Sequence, residues 1–301
     1  MDAPKLTAIV PLHNKVRTIA RTLTSIAGQT HPASEIIVID DVSSDGSVEA
    51  VEELALPTLR LLKRDRPGPG GYAARNLGAE KATGDWLAFL DADDEWLPTH
   101  LAAAVRVIAQ SPEAGVIFFG RAVRNKVTGA GEVRGTGMEG VQTADDLLAD
   151  YAERNLFHVN ALVVRRDVFL ETGGFDDGKG WRRGGDSELW LRLIHHGAPV
   201  YVSPEITSIY DMDFSDVIRS TKNFVREHPV RVTVRQMLLK ETNPKRAKLL
   251  KRLATRKTVE WIAELPNRLV GTKLALLATI YPTGLSKRDA ARLAKSFATR
   301  W

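Results

Sequence analysis

The chain has 301 residues, 44% hydrophobic and 26% charged, with no cysteine and a formal net charge of +5. That composition describes a globular protein with enough apolar residues for a core, and it excludes disulfides, thiolate metal sites and cysteine nucleophiles. No basic-then-apolar leader opens the chain, and Leu274 to Ser286, the longest apolar stretch without charge, has 13 residues against the ~20 of a membrane span, so a cytoplasmic location is expected.

Leu6 to Val10 predicts a strand stopped by Pro11. Ile19, Leu23 and Ile26 then mark one face of a helix from about Val16 to Ala27. Ile36 to Ile39 predicts a second buried strand, ending at Asp40 and Asp41. The turn and cap residues Ser43-Ser44-Asp45-Gly46-Ser47 lead into a helix from Val48 to Leu54. Leu59 to Leu62 is a short strand, Arg66 to Gly71 a Pro/Gly loop, and Tyr72 to Ala82 a helix. Trp86 to Leu90 is an aromatic-rich strand, with Asp91-Ala92-Asp93-Asp94 at its end. A helix from Pro98 to about Ala109 follows, then strands over Val116 to Phe119 and Ala161 to Val164. Glycines between Gly173 and Gly185 predict a mobile stretch before a helix from Ser187 to His196, stopped by Gly197. Val200 to Val202 is the expected last strand of the body. The alternation predicts an α/β domain.

Three strands thus end in Pro11, in Asp40 and Asp41, and in Asp91 to Asp94. In a parallel sheet these ends share one edge and line one cleft. Carboxylates gathered there repel one another unless a cation is shared, and a divalent ion carrying a phosphorylated ligand is the expected occupant. Plainer readings stand beside this one. Asp91 to Asp94 also suits a strand-end turn, Asp40 and Asp41 an Asx-turn, and Asp186 a helix N-cap. Arg75 also suits a surface helix arginine. Arg182 and Arg183 either cover a departing diphosphate or form a solvated pair, and Trp181 either stacks on a sugar or anchors its loop. His158 and Asn160 carry no assigned role.

Val10-Pro11-Leu12-His13-Asn14, Glu35 to Asp41 after Gln29-Thr30, Ser43-Ser44-Asp45-Gly46, Ala74-Arg75-Asn76 and Leu90 to Asp94 resemble, in order and spacing, the family 2 glycosyltransferases. Gly173-Gly174-Phe175-Asp176 and Gly185 to Leu193 resemble that family's acceptor-side signature, so the resemblance covers roughly residues 6 to 205. It implies a GT-A fold, a Rossmann-like mixed sheet flanked by helices, over 1–212, with a nucleotide-sugar half to about 98 and an acceptor half from 99. It also implies roles. Asp91 and Asp93 would form the DxD element, with Asp93 on a Mg²⁺ or Mn²⁺ ion and Asp91 near the ribose or metal shell. Asp40 and Asp41 would hold the base or ribose. Pro11 and the following turn, His13 and Asn14 included, would line the nucleotide pocket, Arg75 would reach the same side, and Asp186 would be the general base. Val42 stands where the family usually has a smaller residue.

The implied activity is inverting transfer from a nucleotide diphosphate sugar, with a UDP-sugar favoured, to a saccharide or lipid-linked hydroxyl acceptor in surface polysaccharide or glycolipid synthesis. A sugar-nucleotide-binding or scaffold protein without turnover is the alternative.

From Asp211 to Trp301 the chain carries 20 Lys+Arg against 8 Asp+Glu, a net of +12, which leaves −7 for the rest. The expected boundary lies near 210–220, with a basic, mainly helical extension over 213–301. Leu293, Phe297 and Trp301 recur at helical spacing among Lys287, Arg288, Arg292, Lys295 and Arg300. Such a stripe suits an anionic membrane surface, or else packs against the body. No nucleic-acid partner is expected, because no recognition motif accompanies the charge.

Overall fold

The computed structural model describes residues 3–125, 132–134, 137–155, 157–213, 227–265 and 269–298. Arg300 and Trp301 of the C-terminal stripe, and much of the expected 210–220 boundary, lie outside them.

The strands are β1 (Leu6–Leu12), β2 (Glu35–Asp40), β3 (Leu59–Lys63), β4 (Trp86–Phe89), β5 (Glu95–Trp96), β6 (Val116–Arg124), β7 (Glu132–Arg134), β8 (Gly140–Gln142), β9 (Leu162–Arg165) and β10 (Val200–Asp211). The helices are α1 (Ile19–Ala27), α2 (Ser47–Glu53), α3 (Tyr72–Lys81), α4 (His100–Gln110), α5 (Ala144–Glu153), α6 (Arg166–Glu171), α7 (Gly185–His196), α8 (Pro229–Leu238), α9 (Pro244–Glu264), α10 (Val270–Leu277) and α11 (Lys287–Ala298). The strands form one mixed sheet of order β3-β2-β1-β4-β9-β6-β10-β5, with β7 on β6 and β8 on β10. β3, β2, β1 and β4 run parallel, and β9 is antiparallel to both β4 and β6.

Alternation along the strands divides the core between the two sheet faces. Ala8, Val10, Ile36 and Val38 pack with Ile19, Leu23, Val51 and Leu101 of α1, α2 and α4. Ile9, Ile37, Ile39 and Phe89 pack on the opposite face with Tyr72 of α3, Leu147 of α5, Val168 of α6 and Leu189 of α7. Val230 of α8 and Leu250, Leu253 and Ala254 of α9 join that second core. The C-terminal segment therefore begins inside the main core. Further along, Val259, Trp261 and Ile262 gather Leu276 of α10 and Leu293 of α11 into a small third cluster.

Pro11 does not stop its strand; it pairs with Ile39 in register. The Ile9 carbonyl, which faces β4, accepts from Leu90 N–H. Pro11, two residues on, faces the same side, where β4 has already ended, so its missing N–H breaks no ladder bond. β10 is longer than its three-residue apolar signal. It continues through Pro204 by register shifts between Val202 and Ser208, bulges that hide the alternation in sequence.

Candidate active site

The register Leu12↔Asp40 on one side of β1 and Ile9↔Phe89 on the other sets three strand ends along one edge. The turn after β4 is gripped from α1. Thr18 and Thr22 donate through their hydroxyls to the Ala92 and Asp94 carbonyls, each at 2.8 Å, and Arg21 donates to the Asp93 carbonyl at 2.8 Å. From the other side Asn160, fully buried, accepts the Asp91 N–H at 3.0 Å and donates to the Asp94 carboxylate. Asn160, which sequence reading leaves without a role, is thus the clamp of the acidic turn.

The three carboxylates have three different environments. Asp94 is fully buried and also accepts the Asp211 N–H at 2.6 Å. Burial, then the charges of Asp93 and Asp91, push its carboxyl well above the usual range. Asp91 is ion-paired to Arg75 of α3; burial raises its carboxyl, but Arg75 overrides this and holds it below the usual range. Asp93 meets Lys15 Nζ at 2.5 Å, on partly exposed side chains. Burial and the Asp91 charge outweigh Lys15 and push Asp93 up. Among the described residues no three His, Asp or Glu side chains gather as a protein-only metal site.

Arg75 is a buried residue, which rules out the surface reading. It also donates to the Gly70 carbonyl at 3.1 Å, and its guanidinium lies 5.4 Å from the Phe175 ring centroid. Pro11 lies beside it: a Cβ on Gly71 would stand 3.5 Å from Pro11 Cβ and 3.3 Å from Arg75 Nη1.

The remaining donor-side candidates knit two loops together. His13 Nδ1 lies 2.8 Å from the Asp41 carbonyl, and Asn14, at φ 52°, accepts the Ser44 N–H at 2.9 Å. Asp40 accepts the Ser43 N–H at 3.0 Å, a bond three residues on rather than the two of an Asx-turn. Asp41 pairs with Arg64 and accepts the Gly68 N–H at 2.9 Å. Val42 has φ 64°, an uncommon and strained conformation for a β-branched residue.

An open cleft of about 280 Å³ is lined by Arg75, Asp91 and Asp186 of the expected residues, together with Tyr72, Lys257 and Trp261. Asp40 instead borders a separate recess beside Val42 and Ser43. Asp186 stands in the first turn of α7, whose N-cap is Gly184 at φ 81° with no side-chain cap bond. The cap reading of Asp186 therefore falls. Among the described residues its carboxylate shows no hydrogen bond or ion pair. Gly185 is required by close approach, since a Cβ there would stand 2.6 Å from the Tyr72 ring. The Tyr72 phenol oxygen accepts the Gly185 N–H at 3.0 Å. Burial, then the Asp186 charge, push that phenol above its usual range.

Beyond Asp186 the wall comes from the C-terminal segment, which the strand-end motifs do not reveal. Lys257, Glu260, Trp261 and Glu264 of α9 and His228 before α8 all line the cleft. Arg183 pairs with Glu264 at 2.6 Å and lies over the Trp261 ring, so it is not a solvated pair with the exposed Arg182. Trp181 is buried and anchors its loop, with Lys179 Nζ 4.8 Å from the ring centroid. Two of the C-terminal arginines are answered by the body: Arg252 pairs with Glu153 at 2.8 Å and Arg246 with Asp145 at 2.7 Å.

Residues 7–171 match the model of the family described as Glycosyl transferase family 2. The succinoglycan biosynthesis protein ExoO of Rhizobium meliloti (strain 1021) is 38% identical over 113 residues, 37% of this chain and 31% of that protein. The chain spans about a third of the length of the curated relatives it matches first. In shape it is similar to S. aureus TarS 1–349 in complex with UDP-GlcNAc, at TM-score 0.70 and 16% identity over 97% of this chain and 89% of that one. It is also similar to the mannosyltransferase PcManGT of Pyrobaculum calidifontis in complex with GDP-Man and Mn²⁺, at TM-score 0.60 and 22% identity over 99% and 81%. These neighbours share the GT-A fold.

Proposed function

This chain belongs to glycosyl transferase family 2, and from that premise we propose that it transfers a sugar, with inversion, from a nucleotide diphosphate sugar to a hydroxyl acceptor. The observation that carries the reading is the placing of Asp91, held by Arg75, and of Asp186, unpaired among the described residues, on one cleft. The first marks the donor end and the second the acceptor end. A UDP-sugar is the favoured donor. Support comes from the similar fold of a protein seen with UDP-GlcNAc, although a GDP-sugar accompanies the other neighbour. The acceptor is a saccharide or lipid-linked glycan of surface polysaccharide synthesis, as the succinoglycan relative suggests.

Asp93 and Asp91 fit a hard divalent cation, Mg²⁺ or Mn²⁺. They offer oxygen ligands, and burial with the neighbouring Asp91 charge disfavours the negative charge of Asp93. When bound, such an ion would supply Lewis-acid stabilisation of the charge that develops on the leaving diphosphate. The chain's own residues do the rest. Arg75 orients Asp91. Pro11, His13, Asn14, Asp40 and Asp41 shape the loops that receive the nucleotide. Asp186 takes the proton of the acceptor hydroxyl while the acceptor oxygen bonds to the anomeric carbon and the bond from that carbon to the diphosphate oxygen breaks. One base without a covalent intermediate gives inversion.

Among the described residues no helix is long and apolar enough to cross a membrane. A peripheral position on an anionic membrane is supported by Val270, Leu274 and Leu277, exposed at helical spacing on α10, and by the exposed Phe297 of α11. Residues 213–301 are read as the extension that closes the acceptor side of a 1–212 transferase domain.

The test is incubation with UDP-, GDP- and dTDP-sugars and Mn²⁺, with and without acceptor extract, measuring released nucleotide. Acceptor-dependent release is expected. Tight donor binding with no release on any combination would favour a binding or scaffold protein instead.

A further inference from the structure

Lys257 stands out among the groups that this reaction does not use. It is 4% exposed, yet it lines the cleft from α9. Its ammonium donates to Asn155 Oδ1 at 2.6 Å and to Ser187 Oγ at 3.1 Å, and lies 5.3 Å from the Tyr151 ring centroid. No carboxylate among the described residues comes within ion-pair distance of it. Arg256 beside it, by contrast, is satisfied by Glu260 and by the carbonyls of Tyr151, Ala152 and Arg154. A buried ammonium held only by neutral groups is costly, and the site keeps one where α7 presents Asp186.

We propose that Lys257 is a positioning residue for acceptor activation: by holding the Ser187 hydroxyl it fixes the first turn of α7 and the direction of the adjacent Asp186 carboxylate. This rests on the reading of Asp186 as the base. Ser187 is bound from two sides, since its carbonyl also accepts from Tyr151 Oη at 2.7 Å. The turn is therefore set by Tyr72 from the donor half, Tyr151 from α5 and Lys257 from α9. An ammonium has three donors, and two are used by described residues, which leaves one for an acceptor oxygen in the cleft. The groups facing it are Arg256, Glu260 and Glu264 on α9, Asp186 on α7, Tyr151 on α5, and Arg183 and His228 at the cleft wall. Burial first, then Arg256, push the ammonium down to about 8, against the opposing charges of Glu260, Asp186 and Glu264. The hold on Ser187 is thus present at neutral pH and weakens above it.

The experiment compares the parent chain with Lys257→Met and Lys257→Arg, reading kcat, KM and donor affinity across pH. Lys257→Met should lower kcat for acceptor transfer about tenfold or more with donor Kd unchanged, and should remove an alkaline fall in rate near pH 8. Lys257→Arg, which keeps the charge, should restore much of the rate. A Lys257→Met chain with parental kcat and pH profile overturns the proposal. A second arm needs no activity. In a chain labelled with ¹³C at lysine Cε, the resonance missing from Lys257→Met reports Lys257. Its midpoint should fall by about half a pH unit in Asp186→Asn; an unmoved midpoint overturns the coupling. Absence of turnover by the parent chain on every donor would overturn the transfer reading, and the midpoint would still decide whether the two groups act together.

Discussion

The Tyr72 phenol oxygen accepts the Gly185 N–H at 3.0 Å, so the first residue of α3 holds the first residue of α7. Three residues along α3, Arg75 holds Asp91. One helix therefore sets both ends of the cleft. Tyr72→Phe keeps the stacked contact with Phe175 but orphans the buried Gly185 N–H. Stability should drop by about 1–3 kcal/mol, seen in urea titration. Transfer should slow while donor affinity, measured by calorimetry, stays near parental.

Asp186→Asn removes the proposed base without changing shape. Transfer should fall roughly 10²–10⁴-fold while nucleotide-sugar binding persists. A variant that keeps most of its activity would show that another group takes the acceptor proton.

Neighbouring carboxylates should part company on substitution. Asp94 satisfies two buried donors, Asn160 Nδ2 and the Asp211 N–H. Each orphaned donor costs about 1–3 kcal/mol, so Asp94→Ala should lose roughly 2–6 kcal/mol of unfolding free energy. Asp93→Asn removes a charge that burial already disfavours, and its stability should stay within about 1 kcal/mol of the parent. Its loss should appear as weaker Mn²⁺-dependent nucleotide affinity. Equal stability losses in the two variants would contradict this division.

Glu35 gives a pH test remote from the cleft. Burial raises its carboxyl, but bonds from the Thr83 N–H, Arg60, Thr7 and the Thr83 hydroxyl together hold it below its usual 4.5. A carboxyl depressed in the folded state adds stability above its unfolded value, and that stability is lost as pH falls through the folded one. Glu35→Gln should therefore cost about 1–3 kcal/mol at pH 7 and less as pH drops below about 4.5. Denaturant midpoints at several pH values, in parent and variant, check both the size and the sign.

Strand ends and the acidic turn were legible because their signals are local: an apolar run, then carboxylates, within a few residues. The clamp by Asn160 was not, because it lies 69 residues from Asp91 and nothing local marks it. Lys257 and Trp261 are hidden for the same reason, sitting in a helix whose basic character suggested a solvated or membrane-facing role. α5 did carry a readable signal: Thr143 Oγ1 accepts the Asp146 N–H at 3.1 Å, a cap visible as Thr-Ala-Asp-Asp before Leu147 and Leu148.

The C-terminal charge calls for a test that spares the cleft. A chain ending near residue 240 would lose Leu250, Leu253 and Ala254 from the main core and Lys257 and Trp261 from the cleft wall, so weakened vesicle binding by it would say nothing about membranes. Arg246 and Arg252 already face acidic partners in the body. The most exposed large apolar side chain on α10 is Leu274, 54% exposed. Leu274→Asp removes exposed apolar area and adds repulsion from anionic lipid. It should weaken sedimentation with phosphatidylglycerol vesicles several-fold while leaving donor turnover intact, and added salt should weaken the parent in the same direction. Salt-independent partitioning, equal in parent and variant, would show that α10 does not face a membrane.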